Sequence, residues 1–372
     1  MPRAKLCFGA CVIPPGAGFL ESIFAPAAFS FLAASSLLPT GANGDPCIRG
    51  ATNERLAKYC LIIRSSEALL APRTAVIIDQ RLKRSGYKQG LGFSGRAKKF
   101  SFQPYVAPIL NYEADINGGN PDKPLSLGSL TFVGNPNLVR REGVIAGAGI
   151  GAYGRYLVGA GRYVDYGLGA SYAYSPEHEI GIERRFASVC SKNHVRNWWY
   201  LDGCVRSSFV RKELTEETQN SISLSTSKLF TTSEDVHHEV SVGGTRVYDE
   251  DYEQDQLSVG FETIYSNGWY SAVDATIGED VDGEIAVQNA VSASLSLPVF
   301  ERSLTISASY SEADGAKLFG IERADYTTSV SASYNVYRNI DVVAGYTETD
   351  STIDYFDESS PSFSVRFEPI RF

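Results

Sequence analysis

Residues 162–174, Arg-Tyr-Val-Asp-Tyr-Gly-Leu-Gly-Ala-Ser-Tyr-Ala-Tyr, decide the fold. Successive side chains of a strand point to opposite faces, so each face is read separately. One face carries Val164, Tyr166, Leu168, Ala170, Tyr172 and Tyr174; the other carries Tyr163, Asp165, Gly167, Gly169 and Ser171. One side is apolar with aromatic ends, the other small and polar.

The asymmetry recurs along the chain. Val291, Ala293, Leu295, Leu297 and Val299 alternate with Ser292, Ser294 and Ser296; Leu304, Ile306, Ala308 and Tyr310 alternate with serine and threonine, as do Tyr326, Thr328, Val330, Ala332 and Tyr334. A soluble sandwich turns its apolar face inward and carries Lys, Glu and Thr outside. Here the pattern fits lipid outside, a crowded wet lumen inside and aromatic girdles at the strand ends. The fold class expected is all-β: a closed, antiparallel, up-and-down transmembrane β-barrel of about fourteen strands, with an irregular N-terminal extension. The expected spans are 100–113, 142–158, 161–175, 180–190, 197–212, 216–230, 235–248, 254–266, 268–279, 284–299, 302–312, 324–337, 338–348 and 361–372. Short turns such as 159–160 and 300–301 face longer connections at 114–141, 313–323 and 349–360. That is the periplasmic-turn, outer-loop rule, with both barrel termini periplasmic.

Charge separates the barrel from what precedes it. The chain has 372 residues and a net charge of −9, yet residues 1–99 are basic and the remainder strongly acidic. An acidic body is a poor partner for nucleic acid, whose affinity comes from Lys and Arg neutralising phosphate. Two regions are expected: 1–90, an export signal and poorly ordered extension, and 91–372, the barrel. Ala27–Leu38 is an apolar stretch followed by Thr40-Gly41-Ala42, the arrangement of a signal peptide, and it is too short to span a bilayer as a helix. Met1 is the only methionine, so no internal Met marks an alternative start.

Cys7, Cys11, Cys47 and Cys60 fall in the segment that export would largely remove. Cys190 and Cys204 flank an expected turn on the periplasmic side, where a disulfide is favoured. The last strand ends in Phe372, with Ile370 two residues before it, and resembles the signal that outer-membrane barrels present to their assembly machinery. Glu368-Pro369 interrupts its alternation as a bulge would.

Ionisable groups at bilayer depth are costly against lipid, so those in strands are expected to line the lumen: Arg155, Asp165, Arg184, Arg206, Arg246, Glu262, Asp274 and Asp341. Asp165 and Asp274 have the clearest inward phase. Structural pairing and ion selection both remain open for them. His237 and His238 point to opposite faces, which argues against a shared metal. His178 lies between two glutamates without a nucleophile pattern nearby, so no enzymatic activity, cofactor or metal is expected. Asp115-Ile116-Asn117-Gly118-Gly119 is a loose match to a calcium loop, lacking the twelfth-position Glu, and the acidic loops read as solvated.

Two motifs carry a family likeness. Asn-Tyr-Glu-Ala-Asp-Ile-Asn-Gly-Gly-Asn-Pro at 111–121 ends the first strand, and Thr-Asp-Ser-Thr-Ile-Asp-Tyr-Phe-Asp at 349–357 precedes the last. Both resemble motifs of the Slam-type barrels, the surface lipoprotein assembly modifiers, as does the stretch 125–156. The resemblance implies a 14-stranded barrel in the bacterial outer membrane that delivers lipoproteins. Those modifiers carry helical repeats before the barrel, for which residues 1–90 are too few and too irregular. The expected function is movement of solute or protein across the outer membrane, as a porin-like channel or a Slam-like barrel; a filled structural or adhesion barrel is the alternative. The expected partners are outer-membrane lipid, the barrel assembly machinery, and lipoprotein cargo or small solutes.

Overall fold

The computed structural model describes residues 47, 53–67, 72–87, 98–127, 129–300, 302–318, 320–337 and 340–371. The signal-like stretch Ala27–Leu38, Cys7, Cys11 and the terminal Phe372 lie outside the described residues. The first strand, β1 (Phe100–Glu113), is followed by a two-stranded hairpin, β2 (Leu125–Leu127) and β3 (Leu130–Phe132). Thirteen further long strands complete the wall: β4 (Gly143–Gly159), β5 (Arg162–Ser175), β6 (Ile180–Arg196), β7 (Trp199–Arg211), β8 (Glu216–Ser233), β9 (Val236–Tyr248), β10 (Glu253–Tyr265), β11 (Tyr270–Gly278), β12 (Ala286–Val299), β13 (Arg302–Leu318), β14 (Ile321–Tyr337), β15 (Ile340–Ser351) and β16 (Glu358–Phe367). A short β17 (Ile370–Arg371) continues the last strand.

Each long strand pairs antiparallel with the next, and β16 returns to β1, closing the sheet at fourteen strands. Closure leaves no unpaired edge, the condition for a sheet in lipid. The seam is short: β1 faces β16 from Ile109↔Arg366 to Tyr112↔Phe363, then meets β17 at Val106↔Ile370 and Tyr105↔Arg371. A one-residue slip separates the two stretches, at Glu368-Pro369.

The alternation read from the sequence is the alternation of the wall. Ile150 is 62% exposed, Leu168 54% and Leu224 60%, all on the outer face, while the partners of each strand's second phase face the lumen. Aromatic side chains such as Phe100, Trp199, Trp269 and Tyr337 stand exposed near the short-turn end, and Tyr172, Tyr310 and Tyr346 towards the other. This is the surface chemistry of a lipid-facing barrel.

Strand ends differ from expectation where alternation fades. The expected loop 313–323 is mostly strand, because β13 and β14 continue to a tight connection between Leu318 and Ile321. Their ends carry Glu312, Asp314, Lys317 and Glu322, so the ladder persists where no apolar face marks it. Likewise β6 runs to Arg196 rather than 190. It turns into β7 through Asn197 (φ 46°) and Trp198 (φ 63°), two successive left-handed residues. That is the two-residue geometry whose twist matches adjacent strands.

Within the segment whose sequence shows no steady period, two helices form: α1 (Glu54–Glu67) and α2 (Pro72–Arg84). They lodge in the lumen near the short-turn end. Leu56, Cys60 and Leu61 of α1 and Ile78 of α2 share a buried cluster with Tyr200, Leu229, Ile264 and Tyr270 of the wall. Cys47 and Cys60, both fully buried, are bonded to each other. Cys190 and Cys204 are also bonded, but as directly facing residues of β6 and β7, well inside the ladder rather than flanking its turn.

Candidate functional site: a divided lumen

The lumen has two unlike halves. In the first, α1 is held by charges. Asn53 caps the helix: its Oδ1 accepts from the backbone N–H of Arg55 (2.9 Å) and Leu56 (3.0 Å). Its side-chain amide donates to Glu239 (2.8 Å) and Glu262 (2.9 Å) on the wall. One short side chain thus ends the helix and fixes it to two strands. Arg55 pairs with Asp202, donates to Ser227 Oγ at 2.8 Å, and lies over the Tyr200 ring at 4.3 Å. Its other nitrogen stands 3.4 Å from Glu239.

Arg155 joins the next helix residue to the wall. It donates to Asp165 at 2.6 and 3.0 Å and to Glu54 Oε2 at 3.2 Å, with its guanidinium 3.9 Å from the Tyr163 ring centre. Burial pushes the Glu54 carboxyl up, yet the Arg155 guanidinium outweighs it and holds the group at about 2. Lys58 is buried beside Ser85 and Tyr87, and burial brings its ammonium down to about 8 against the opposing pull of Glu54. Tyr59 accepts from Thr231 Oγ1 at 3.0 Å and meets the Trp198 ring edge-on at 4.7 Å.

The second half is a cavity of about 740 Å³ bounded by β1, β4, β6 and β11–β16. Ser292 and Ser294 of β12, Ser307 and Ser309 of β13, and Ser329 and Ser331 of β14 line one wall. Hydroxyls pair across strands there: Ser329 with Thr347 and Thr327 with Thr349, each at 2.9 Å. The cavity reaches from Glu358 and Arg323 at the long-loop mouth to Arg366 and Pro369 near the short-turn end.

The loop 114–142 folds over that mouth. Asp115 and Lys212 form a buried ion pair at 2.9 Å, and Ile116, fully buried, joins Ile145, Ile180 and Ile182. Gly118 (φ +72°) passes so close to Thr215 that an added Cβ would lie 2.2 Å from its Oγ1. On the opposite side Arg140 pairs with Glu358 and Lys123 donates to the Asp357 carbonyl at 2.7 Å. Arg323 grips Asp325 with two hydrogen bonds and lies 3.5 Å from the Phe356 ring centre. The 111–121 and 349–357 motifs border the same mouth of the cavity.

Of the residues singled out from sequence, Arg155, Asp165 and Glu262 face the plugged half, and Arg184, paired with Glu113 at 2.8 Å, and Asp274 line the cavity. Asp341 faces the lumen opposite Arg366 and accepts from Asn335 at 2.7 Å. Arg206 shares the inward phase of Asp202 and Cys204. Arg246 is a correction: it shares the outer phase of Val240 and Val242, beyond the apolar band at the rim, and pairs with Glu253 and Asp255. Ile370 is outward-facing and 58% exposed.

Sequence reasoning missed the helix contacts and three inward rings, Tyr105, Tyr153 and Phe186. Asn53 before Glu54, and Pro72 with a basic last turn in α2, were available as helix start and stop signals. The rings had a signal in the inward glycines on the strands beside them.

No protein-family model matches the sequence, and no curated protein matches it. Among solved structures, the loop L8 deletion mutant of OmpT, an outer membrane protein of Vibrio cholerae, is 11% identical; the match covers 73% of this chain and 99% of that one, with a TM-score of 0.41. OccK2 of Pseudomonas aeruginosa in complex with glucuronate is 7% identical over 73% and 98%, at 0.40. OprD, an outer membrane protein of the same organism, is 8% identical over 74% and 94%, at 0.37. Likeness at this level carries no argument about this chain, whose fold rests on its own sheet closure. None of the three supports the Slam-type resemblance.

Proposed function

We propose that this chain is a non-enzymatic barrel of the bacterial outer membrane that passes small polar solutes along the serine-lined half of its lumen. The short-turn end and both barrel termini face the periplasm, and α1 and α2 close the other half. The observation that carries this reading is the cavity of about 740 Å³ running beside the plug from one mouth towards the other. The apolar outer face supports the location: exposed Ile, Leu and Val around the wall are stable only against lipid. The assembly machinery is the expected partner for insertion, reading the last strand on which Ile370 faces outward.

The test is single-channel conductance of the full-length chain in a planar bilayer. A steady conductance below that of an unplugged fourteen-stranded barrel is expected. Absence of current from protein whose folding and insertion are verified by heat-modifiable gel mobility overturns the reading.

A second reading has one observation in its favour. Among the described residues, fourteen of β1 face β4, but only six face β16 and β17, so the wall is weakest at its seam. Lateral release of a lipoprotein cargo would use that seam. Asn111 and Ser364 face each other across it, so the pair Asn111→Cys and Ser364→Cys locks it by oxidation. Conduction through the lumen survives the lock; lateral delivery does not.

A further inference from the structure

The cavity has an aromatic floor. Tyr105, Gly151, Gly169 and Phe186 form one register row across β1, β4, β5 and β6, all on the lumen face. The two glycines let the flanking rings lie against the wall: an added Cβ would stand 2.5 Å from Tyr105 Oη at Gly151 and 2.4 Å from Phe186 Cε1 at Gly169. Tyr153 lies between them in the same way, and a Cβ at Gly167 would be 2.9 Å from its ring. Tyr105 and Tyr153 are stacked, with centroids 5.1 Å apart and planes 7° apart; Phe186 follows Tyr153 at 6.1 Å and 29°. All three border the cavity.

The row of rings rests on this glycine-bare wall and borders the lumen with its uncovered side. Across the cavity stand the hydroxyls of Ser292, Ser294, Ser307 and Ser309. In a fourteen-stranded ring, β12 and β13 lie diametrically opposite β4 to β6. The bordering charges are mostly spent on each other, as Arg184 with Glu113, Arg140 with Glu358, Arg323 with Asp325 and Asp115 with Lys212. The bordering charges outside these pairs, Asp274 and Arg366, are of opposite sign, so the groove favours neither an anion nor a cation.

We propose that this groove binds a neutral, hydroxyl-rich solute of the saccharide class. One face of a sugar ring presents weakly positive C–H groups to the electron-rich aromatic faces. Its hydroxyls exchange hydrogen bonds with serines, each of which both donates and accepts. The proposal deepens the channel reading and rests on it for transport, but binding itself is measured separately.

The experiment is calorimetric titration of the detergent-solubilised full-length chain with maltotriose, with succinate as an anionic comparator. Saturable binding of maltotriose but not succinate is expected. Replacing both Tyr153 and Phe186 by Leu, which keeps apolar volume but removes the rings, weakens it by about tenfold or more. Heat-modifiable gel mobility of the double-Leu variant, unchanged from the parent, shows that its weaker binding is not a folding defect. No saturable binding, equal affinity in the double-Leu variant, or preference for succinate overturns the proposal. The conductance measurement judges the channel reading independently: current without maltotriose binding sinks this inference alone, and binding without current sinks the channel alone.

Discussion

The two halves of the lumen are built by the same strand geometry and differ in what the inward phase carries. On β4, β5, β7, β9 and β10 it carries Arg155, Asp165, Asp202, Glu239 and Glu262; α1 and its cap Asn53 engage four of these directly and Asp165 through Arg155. Along the middle of β12–β16 it carries serine and threonine, with Arg323, Asp325, Asp341 and Arg366 confined to the strand ends, and that half is open. A charge drawn out of water needs a partner, whereas a hydroxyl is satisfied by its neighbour or by water. The wall's charges therefore recruit the plug, and its hydroxyls leave room for solute.

The sharpest way to break that contrast is to remove the plug's central cation. Arg55→Ala leaves Asp202 and Glu239, both buried, without their shared partner. Leaving a buried charge wholly unpartnered costs about 3–5 kcal/mol; Asp202 keeps Lys192 and Glu239 keeps Asn53, which brings the loss to the low end of that range. α1 is expected to leave the wall, raising single-channel conductance while the strand content by circular dichroism stays constant. Unchanged conductance from a folded barrel would show that charge does not hold the plug.

The next test is of the wall's two faces. Leu295 lies on the outer face, opposite Ile306, and Ser294 borders the cavity. Leu295→Arg is expected to cost about 2–4 kcal/mol of folding stability in lipid, less towards the interface, with Ser294→Arg far milder. Reversible unfolding in liposomes measures both. Equal damage would contradict the assigned phase.

These contrasts also explain which parts were legible from sequence. All fourteen strands were, because lipid on one side and a wet lumen on the other impose period two, and β1 was delimited at both ends. The β13–β14 extension was not, since past the bilayer both faces are polar. The plug was hidden for a related reason. A helix inside a polar lumen buries Arg55 and Lys58 as well as Leu56 and Leu61, so its apolar residues need not form one stripe. Arg246 misled because a charge beyond the apolar band is free to take the outer phase, here that of Val240 and Val242.

Titration separates the plug from the wall more gently. Glu54, held at about 2, stabilises docking fully above its free value of 4.5, and that contribution fades as the pH falls through 2. Lys58, brought down to about 8, acts in the other direction: its buried charge opposes docking below 8, and the penalty disappears as the pH rises towards 10.5. Glu54 and Lys58 are thus expected to weaken docking in acid and to tighten it in base. Emission from Trp198, with Trp199 and Trp269 replaced by Phe, follows it through the Tyr59 contact. Glu54→Gln should shrink the acid limb and leave the basic limb unchanged.

The smallest effect belongs to the open half. Ser329 shares a 2.9 Å hydrogen bond with Thr347, two neutral hydroxyls on facing strands. Ser329→Ala deprives Thr347 of that partner, but water in the groove replaces it, so the loss is about 0.5 kcal/mol, the low end for a neutral hydrogen bond. Reversible unfolding in liposomes resolves such a difference only against a matched control. Thr231→Ala is that control, because the hydroxyl it removes donates to buried Tyr59 in the plugged half, where replacement by water is harder. A larger loss at Ser329 than at Thr231 would mean that the serine wall, rather than the plug, is the tightly packed half of the lumen.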